Sequence, residues 1–301
     1  MSIRKVVIPV AGPGTGLLPA TKSQPKEMLP VGRKPIVQYV VEEMIDQDIV
    51  NIMFITGRDK RTIEDHFDRD PELDSYLAQV GEEQLLDETD YDKRGARFFY
   101  TRQLIPKGRH TPAGLGDAVM TARDFVSMEP FVVALGDTII RSGNHAGLIR
   151  RMVKSHFEHE SSCTIAVTTV DADDVSQYGI VSPVGRSRSN FKIDDVIEKP
   201  SAEVAPSRLA VAGRYIFTPE IFDAIEKTAP GNKGEIELTD AIRILIRMGR
   251  EVRCVHLKKD EHRYDIGNPE SYFRSFIDFA LSDQQYGYRI RQYCQQRLRD
   301  F

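Results

Sequence analysis

Short apolar segments alternate along the chain with longer segments in which apolar positions recur at helical spacing. The first apolar segment, residues 6–10, is rich in Val and Ile and contains no charged position, a pattern typical of a strand buried on both faces. Residues 52–56, 97–103 and 131–138 are further strand candidates, and residues 35–44 carry an apolar stripe that predicts a helix. This alternation predicts β-α-β units and a parallel sheet near the start of the chain.

The second half of the chain continues the same alternation, so the whole pattern predicts an α/β protein. One predicted strand has Gly213 in its middle, which usually marks a bulge or a close approach by another group. The segment at residues 235–241 has the pattern of a capped helix start. The other elements predicted here are strands at residues 163–170, 193–200, 209–217 and 252–257, a helix at 144–160, and a polar helical tail from 282.

A glycine-rich loop follows the first strand directly, at residues 11–16. Glycines there let backbone N–H groups approach a ligand at the carboxyl end of the strand, which is how proteins cradle phosphate. The spacing matches neither a Walker A motif nor the dinucleotide fingerprint, and the glycines alone fit a structural turn equally well. The continuation places Lys26 and Glu27 between Pro25 and Pro30, so two prolines confine a cation and a carboxylate to a stiff loop. A lysine fixed at this position predicts a polyphosphate ligand.

Two aspartates that are far apart in sequence are candidates for a shared metal ion. Asp137 lies at the end of the predicted strand 131–138, and Asp265 lies between the predicted strand 252–257 and a helix that Pro269 can start. A helix cap or a turn is an equal alternative for Asp137 taken alone. Because a nucleotide-bound Mg²⁺ is typically held by one or two carboxylates, the pair predicts a magnesium site if the fold brings both side chains together.

Composition narrows the classes of function. The chain of 301 residues has a net charge of −4, which argues against a general nucleic-acid-binding protein. Its cysteines, Cys163, Cys254 and Cys294, are widely separated and predict neither a disulfide framework nor a zinc site. The first apolar segment is too short for a signal peptide, and no segment approaches the roughly 20 apolar residues of a membrane span. We therefore expect a cytoplasmic protein that binds neither nucleic acid nor membrane.

The motifs together resemble those of the bacterial UTP–glucose-1-phosphate uridylyltransferases, a family of the sugar-nucleotidyltransferase superfamily. The resemblance runs from about residue 3 to residue 281 and rests on the sequences AGPGTGLLPATKSQPKEMLP, KPIVQYVVEE, AGLGDAV, QYGIV, IEKP, AGRYIF, GEIELTDAI and YDIG. It implies an α/β fold with a doubly wound, mostly parallel mixed sheet, which is the Rossmann-like nucleotidyltransferase fold. Residues 1–282 would form a single domain with a nucleotide half at about 1–140 and a sugar half at about 141–282, followed by a helical tail at 283–301.

The resemblance also implies a reaction, in which UTP and glucose 1-phosphate give UDP-glucose and pyrophosphate with Mg²⁺ as cofactor. An oxygen of the sugar phosphate attacks the α-phosphorus in line, and because this nucleophile is already an anion, no general base is required. We also expect a homo-oligomer, a dimer or a tetramer. The site residues implied by the resemblance are Lys26 and Lys199 for catalysis, Asp137 and Asp265 for the metal, Ala11, Gly12, Gly14, Glu27, Gln103 and Gly114 for the nucleotide, and Gly179, Glu198 and Gly213 for the sugar.

Three positions of the nucleotide half depart from the family pattern. Gly16 stands where the family has an arginine that meets the triphosphate, and loss of such a donor typically costs a factor of about 10² to 10³ in rate. Asp117 stands where the family usually has His, and Arg33 stands where it usually has Asp. We hypothesise that Arg33 partly replaces the missing positive charge.

These departures leave two alternatives to a working uridylyltransferase. The first is a catalytically weak paralogue with a regulatory role, although a pure binding protein would not need two metal-binding carboxylates. The second is a thymidylyl or guanylyl transferase acting on a related sugar phosphate. The sequence Asp265-Ile266-Gly267, in place of the usual Asp-Cys-Gly, slightly favours this second alternative, whereas the complete PATKSQPKEMLP motif favours the uridylyltransferase.

Overall fold

The computed structural model of the chain describes residues 2–82, 85, 90–143, 147–231 and 233–300. Strands and α-helices alternate through the described residues. The strands are β1 Lys5–Pro9, β2 Pro30–Val31, β3 Lys34–Pro35, β4 Asn51–Thr56, β5 Arg97–Arg102, β6 Phe131–Ala134, β7 Thr138–Ser142, β8 Cys163–Thr169, β9 Gly179–Pro183, β10 Asn190–Glu198, β11 Leu209–Phe217, β12 Val252–His256 and β13 Glu261–Asp265. The α-helices are α1 Ile36–Ile45, α2 Arg61–Phe67, α3 Pro71–Val80, α4 Leu115–Met120, α5 Arg123–Val126, α6 Leu148–Glu158, α7 Glu220–Glu226, α8 Leu238–Arg247, α9 Pro269–Leu281 and α10 Gly287–Arg297.

A nine-stranded mixed sheet forms the centre of the molecule, with the strand order β5-β4-β1-β6-β11-β8-β12-β10-β9. Strand β1 pairs in parallel with β4 and with β6, so Val6 lies between Ile52 and Val132. Strand β11 runs antiparallel to both of its main neighbours, β6 and β8. The parallel sheet predicted for the start of the chain is confirmed, and the antiparallel β11 joins it to the strands of the second half.

Helices cover both faces of this sheet, which makes the fold doubly wound. Val7 belongs to a core cluster on one face, where α4, α7 and α8 pack. Val6 and Ile8 point to the other face and pack with residues of α1 and α6, such as Val40 and Met152. Because neighbouring side chains of β1 enter different cores, neither face of the strand tolerates a polar side chain, which accounts for its uninterrupted apolar sequence.

The structure corrects three details of the sequence-based elements. The predicted strand 131–138 ends at Ala134, because a turn at 135–137 separates it from β7. Asp265 is the last residue of β13, a short polar strand that pairs with β7 and that the sequence pattern does not reveal. Helix α8 begins at Leu238 without a side-chain cap. The predicted helix at 144–160 is confirmed from 148 to 158, and residues 144–146 lie outside the described part of the chain.

Candidate active site

The candidate site lies where strands β1, β5 and β6 end and the glycine loop returns toward them. Gly14 has a left-handed backbone with φ of 68° and accepts a hydrogen bond of 2.7 Å from Thr21 Oγ1. A Cβ at Gly14 would lie 3.5 Å from the Cβ atoms of both Thr21 and Lys26. The glycine therefore lets the loop fold back closely enough to bring Lys26 to the carboxyl end of the sheet.

Asp137 and Asp265 converge at one end of the two-stranded sheet formed by β7 and β13. Asp265 pairs with Thr138, the residue after Asp137, and the backbone N–H of Ile266 donates a 3.1 Å hydrogen bond to the Asp137 carbonyl. Both aspartates line the same cavity. The structure thus brings together two carboxylates that are 128 positions apart (265 − 137) in the chain.

A lysine neutralises part of this acidic pair. Lys26 Nζ donates a short hydrogen bond to Asp137 Oδ2. Burial alone would lower the pKa of Lys26, but the negative charges of Asp137 and the neighbouring carboxylates have the larger combined effect and raise this pKa. Burial alone would raise the pKa of Asp137, but the charge and the hydrogen bond of Lys26 have the larger effect, so the pKa of this carboxyl is lowered. Burial and the adjacent charge of Asp137 raise the pKa of Asp265, which therefore lacks a sufficient counter-charge.

The carboxylate of Glu27, a residue expected at the nucleotide, is paired within the protein. It is 1% exposed, and Lys60 Nζ donates a 2.8 Å hydrogen bond to its Oε2. Burial raises the pKa of Glu27 against the attraction of Lys60 and Lys26. The carboxylate is thus engaged by Lys60, and the Glu27 residue forms part of the cavity wall beside Lys26.

Two cavities meet at Asp137. The first, which we call the nucleotide-side cavity, has a volume of about 310 Å³ and contains six of the predicted site residues besides Asp137, namely Ala11, Gly12, Lys26, Glu27, Gln103 and Gly114. The second, the sugar-side cavity, has a volume of about 210 Å³ and contains Gly179, Glu198, Lys199, Gly213 and Asp265. Leu115, Leu135 and Asp137 line both cavities. The residues expected to bind the nucleotide thus line the first cavity, except Gly14, which is not among the described residues that line either cavity, and those expected to bind the sugar line the second.

The sugar-side cavity is shaped by two glycines and one carboxylate. Gly213 has φ of 74° at a bulge of β11, and a Cβ there would lie 3.3 Å from Thr138 Oγ1. A Cβ at Gly179 would approach Glu198 Oε2 to the same distance of 3.3 Å. Glu198 itself accepts a 2.8 Å hydrogen bond from Thr239 Oγ1. Both glycines thus keep polar groups of the wall accessible, and the mid-strand bulge predicted at Gly213 is confirmed.

Sequence analysis missed an ion pair that supports the turn at residues 135–137. Leu135 and Asp137 of this turn line both cavities, and we call the turn the wall between the cavities. Arg214 is fully buried, and its Nε and Nη2 donate hydrogen bonds of 3.0 and 2.7 Å to Glu43 Oε2. Its guanidinium also donates to the carbonyls of Gly213 and Thr138, at 3.1 and 2.8 Å. These carbonyls flank the turn that carries Asp137. A charged residue inside the otherwise apolar strand 209–217 was the available signal.

The structure gives each of the three departures in the nucleotide half a distinct setting. A Cβ at Gly16 would lie 2.2 Å from the Gly267 carbonyl oxygen, so the glycine allows close packing against the turn after Asp265. Arg33 pairs with Asp283 at 3.4 Å and lines a separate groove, and among the described residues none lines both this groove and either cavity. This position of Arg33 gives no support to the hypothesis that Arg33 replaces the missing positive charge. Asp117 accepts a 2.7 Å hydrogen bond from Gln103.

The chemistry available at the site is that of charge neutralisation around an anionic ligand. Among the described residues no group of three or more His, Cys, Asp or Glu side chains forms a complete metal cage. Two partly buried carboxylates with an incomplete counter-charge nevertheless fit a divalent cation that obtains its remaining ligands from phosphate and water. In the part of the chain that the structure describes, no helix is long and apolar enough to span a membrane.

Comparison with known proteins identifies the family. Residues 5–280 match the nucleotidyl transferase family. The UTP–glucose-1-phosphate uridylyltransferase of Bacillus subtilis is 41% identical over 284 residues, which cover 94% of this chain and 93% of that protein.

Solved structures give the same result. A UTP-bound UDP-glucose pyrophosphorylase (UGPase) from Acinetobacter baumannii is 32% identical, with a TM-score of 0.87 and coverage of 97% of this chain and 99% of that one. A UDP-glucose pyrophosphorylase complexed with UDP-glucose is 34% identical, with a TM-score of 0.78 and coverage of 92% and 98%. Nucleotidyltransferases of this type typically use a divalent metal ion. The chain is a nucleotidyltransferase that belongs to the family of the bacterial UTP–glucose-1-phosphate uridylyltransferases.

Proposed function

We propose that the protein transfers the uridylyl group of UTP to glucose 1-phosphate and releases pyrophosphate. The observation that carries this proposal is the arrangement of two cavities on either side of one carboxylate, Asp137, with Lys26 beside it. One cavity would receive the nucleotide and the other the sugar phosphate, so the two reacting groups would meet at Asp137. The similarity to the UTP–glucose-1-phosphate uridylyltransferase of Bacillus subtilis and to the UTP-bound and UDP-glucose-bound pyrophosphorylases supports the same pair of substrates.

The residues of the chain would act by alignment and charge neutralisation. An oxygen of glucose 1-phosphate attacks the α-phosphorus of UTP while pyrophosphate leaves on the opposite side, and no proton has to be removed from the attacking phosphate. Lys26 would contact the phosphates of the nucleotide, where its ammonium group is held in the charged form. Lys199 would contact the phosphate of the sugar, while Glu198 and the backbone at Gly179 and Gly213 would face the glucose hydroxyls.

We propose Mg²⁺ as the cofactor, held by Asp137 and Asp265. The fit rests on the convergence of the two carboxylates in one cavity, and the raised pKa of Asp265, caused by burial next to the charge of Asp137, agrees with a nearby cation. When bound, the ion would neutralise charge on the phosphates of the nucleotide. Lys26, which lies beside Asp137, would add a second positive charge near the phosphates.

A direct assay tests this function. Purified protein is incubated with glucose 1-phosphate and Mg²⁺, and pyrophosphate release is measured with UTP, dTTP or GTP, with a chelator as control. We expect release with UTP to exceed release with the other nucleotides and to stop when the chelator is added. Preferential release with dTTP or GTP would instead support the thymidylyl or guanylyl transferase, and an absence of release with all three would contradict transfer to glucose 1-phosphate.

A second candidate function, a catalytically weak regulatory paralogue, is favoured by Gly16. No side chain can be added at this position without moving the Gly267 carbonyl, so an arginine would disturb the turn that follows Asp265. The turnover of the natural protein with UTP is therefore a more direct test than repair of this position. A large gain in turnover for Gly16→Arg would nevertheless support the weak paralogue.

A further inference from the structure

Residues 104–112 form a loop between strand β5 and helix α4, and most of its side chains are exposed. Main-chain hydrogen bonds hold the chain at both ends of this loop. The N–H group of Gln103 donates to the Thr56 carbonyl at 2.9 Å, and the N–H group of Ile236 donates to the Ala113 carbonyl at 2.7 Å. The middle of the loop needs a contact of its own to keep a fixed position.

Arg109 supplies this contact by joining the loop to the segment that precedes helix α8. Its Nη1 donates a short hydrogen bond to the Gly234 carbonyl, and its Nη2 donates one of 3.4 Å to the Pro112 carbonyl within the loop. The Nε atom of the same guanidinium is buried. Among the described residues, no other group of the loop forms a hydrogen bond or an ion pair with another element. The polar contact that positions the middle of the loop thus comes from one arginine.

The partner position is a glycine for a steric reason. Gly234 has a left-handed backbone with φ of 68°, and a Cβ there would lie 2.6 Å from Arg109 Nη1. A side chain at this position would therefore displace the guanidinium. The contact can be broken in two ways, by a substitution that removes the charge of Arg109 and by one that keeps it.

The loop contributes to two adjoining cavities. Thr111 and Pro112 line the nucleotide-side cavity. An outer cavity of about 750 Å³ shares Gln103 and Pro112 with it and is lined by further residues of the loop. These further residues are Leu104, Ile105 and His110. The lining of the nucleotide-side cavity is therefore complete only when the loop is in place.

A loop that is already in its binding conformation favours the affinity for a ligand. A mobile loop must be ordered when the ligand binds, and the free energy of ordering reduces the free energy of binding. The apparent dissociation constant rises in inverse proportion to the fraction of molecules with the loop in place. Lys26 and Asp137 belong to other elements and keep their own hydrogen bond if the loop moves. Loss of the contact should thus weaken nucleotide binding and leave the reaction step unchanged.

We propose that Arg109 is a positioning residue, which fixes loop 104–112 against Gly234 and thereby completes the lining of the nucleotide-side cavity before the nucleotide binds. Arg109 is not among the described residues that line this cavity, so it acts through the loop. The inference rests on the proposed function, because it takes this cavity to receive the nucleotide. It predicts a loss of nucleotide affinity without a loss of kcat, which a general loss of stability would not produce.

The test compares the natural protein with Arg109→Ala, Gly234→Ala and the control Arg291→Ala. Arg291 also donates a side-chain hydrogen bond to a backbone carbonyl, that of Leu281, and is not among the described residues that line these cavities. We expect the dissociation constant for UTP, measured by calorimetry, to rise about tenfold or more in Arg109→Ala and in Gly234→Ala. The kcat at saturating UTP and the dissociation constant for glucose 1-phosphate should change less than about twofold. Arg291→Ala should behave as the natural protein.

Cleavage by a lysine-specific protease reports the position of the loop without any ligand. Lys107 is exposed within the loop, and a segment that opens more often is cleaved faster. We expect the rate of cleavage after Lys107, followed by mass spectrometry, to rise about fivefold or more in Arg109→Ala and in Gly234→Ala. In the natural protein UTP should slow this cleavage.

Unchanged cleavage after Lys107 in both variants would overturn the inference, and so would faster cleavage with an unchanged dissociation constant for UTP. Weaker UTP binding in only one of the two variants would also overturn it, since the contact requires both residues. In these cases the proposed function stands if the natural protein releases pyrophosphate from UTP. If the natural protein binds UTP without turning it over, the proposed function fails, while the two variants still decide the inference. A natural protein that binds no UTP would overturn both.

Discussion

The two cavities that meet at Asp137 hold their lysines by different means. On the nucleotide side, Lys26 has 20% of its side chain exposed and is paired with Asp137, so its ammonium group is in place before a ligand arrives. On the sugar side, Lys199 has 62% of its side chain exposed, and its Nζ lies 3.6 Å from Glu198 Oε1. Its backbone has a left-handed φ of 44° and donates a hydrogen bond to the Tyr178 carbonyl. Lys199 is thus positioned through its main chain, whereas Lys26 is positioned through its charge.

This difference separates two ways in which a cation can serve one reaction. A preorganised, desolvated charge stabilises the transition state without reorganisation at the moment of reaction, so its loss should appear mainly in kcat. A solvated lysine that closes on its ligand contributes to binding of the ground state as well, so its loss should appear mainly in KM. The predictions below test this contrast, beginning with the structure that both cavities share.

The largest effect is expected when the shared wall is broken. Arg214→Met leaves Glu43 largely buried without its partner and removes the donors to the carbonyls on both sides of the Asp137 turn. Breaking such a pair costs about 3 to 5 kcal/mol in the free energy of unfolding, which urea denaturation measures. Arg243→Met, which breaks a partly exposed pair with Asp195, should cost about 1 kcal/mol or less.

A double variant sharpens this test. In Arg214→Met/Glu43→Leu no charge is left without a partner, so part of the lost free energy of unfolding should return. Full stability of Arg214→Met alone would show that Glu43 is compensated by other groups. In that case the pair would not support the wall between the cavities.

Lys26→Met should cause the largest loss in catalysis. The substitution removes the cation beside Asp137 and leaves two adjacent carboxylates without it, so we expect kcat with UTP to fall by a factor of about 10² to 10³. Steady-state kinetics should show a smaller change in the KM for glucose 1-phosphate. Equal losses in kcat for Lys26→Met and Lys199→Met would contradict the distinction between the two lysines.

The sequence revealed the two sides of the site better than the wall between them. The uninterrupted apolar run at residues 6–10 predicted β1, and the prolines around Lys26 indicated a fixed cation, because both signals are local. The pair between Glu43 and Arg214 spans 171 positions, and such a contact leaves no local pattern. Strand β13 was also missed, since its sequence EHRYD is polar and its partner β7 lies far away in the chain. Local chemistry was therefore predictable, whereas the pairings that align it depend on the tertiary fold.

Lys199→Met should raise the KM for glucose 1-phosphate about tenfold, with a change in kcat of no more than a few fold, because a solvated lysine mainly contributes to binding. The control is Lys227→Met, which replaces another exposed lysine that is not among the described residues lining either cavity. A fall in kcat comparable to that of Lys26→Met, with KM unchanged, would show that Lys199 also acts in the transition state.

A smaller effect concerns stability and its dependence on pH. The pKa of Asp265 is raised in the folded protein, so its ionisation opposes folding above that pKa, and this penalty is lost as the pH falls through it. Asp265→Asn should therefore stabilise the metal-free protein by about 1 kcal/mol at pH 7.5, measured by urea denaturation. The gain should vanish near the ordinary aspartate pKa of about 4. Asp137→Asn, which leaves Lys26 unpaired, should destabilise the protein at pH 7.5 instead.

The smallest effect is expected at Arg33, which lies outside the described lining of the nucleotide-side and sugar-side cavities. Its side chain is 54% exposed, pairs with Asp283 and lines a separate groove. Arg33→Ala should leave both kcat and the KM for UTP within a factor of two, since Arg33 is not among the described residues that line the nucleotide-side cavity. Its exposed ion pair contributes about 1 kcal/mol or less to stability. A tenfold rise in the KM for UTP would show that Arg33 reaches the triphosphate in the complex. In that case Arg33 would supply the positive charge that the family's arginine provides and that Gly16 cannot.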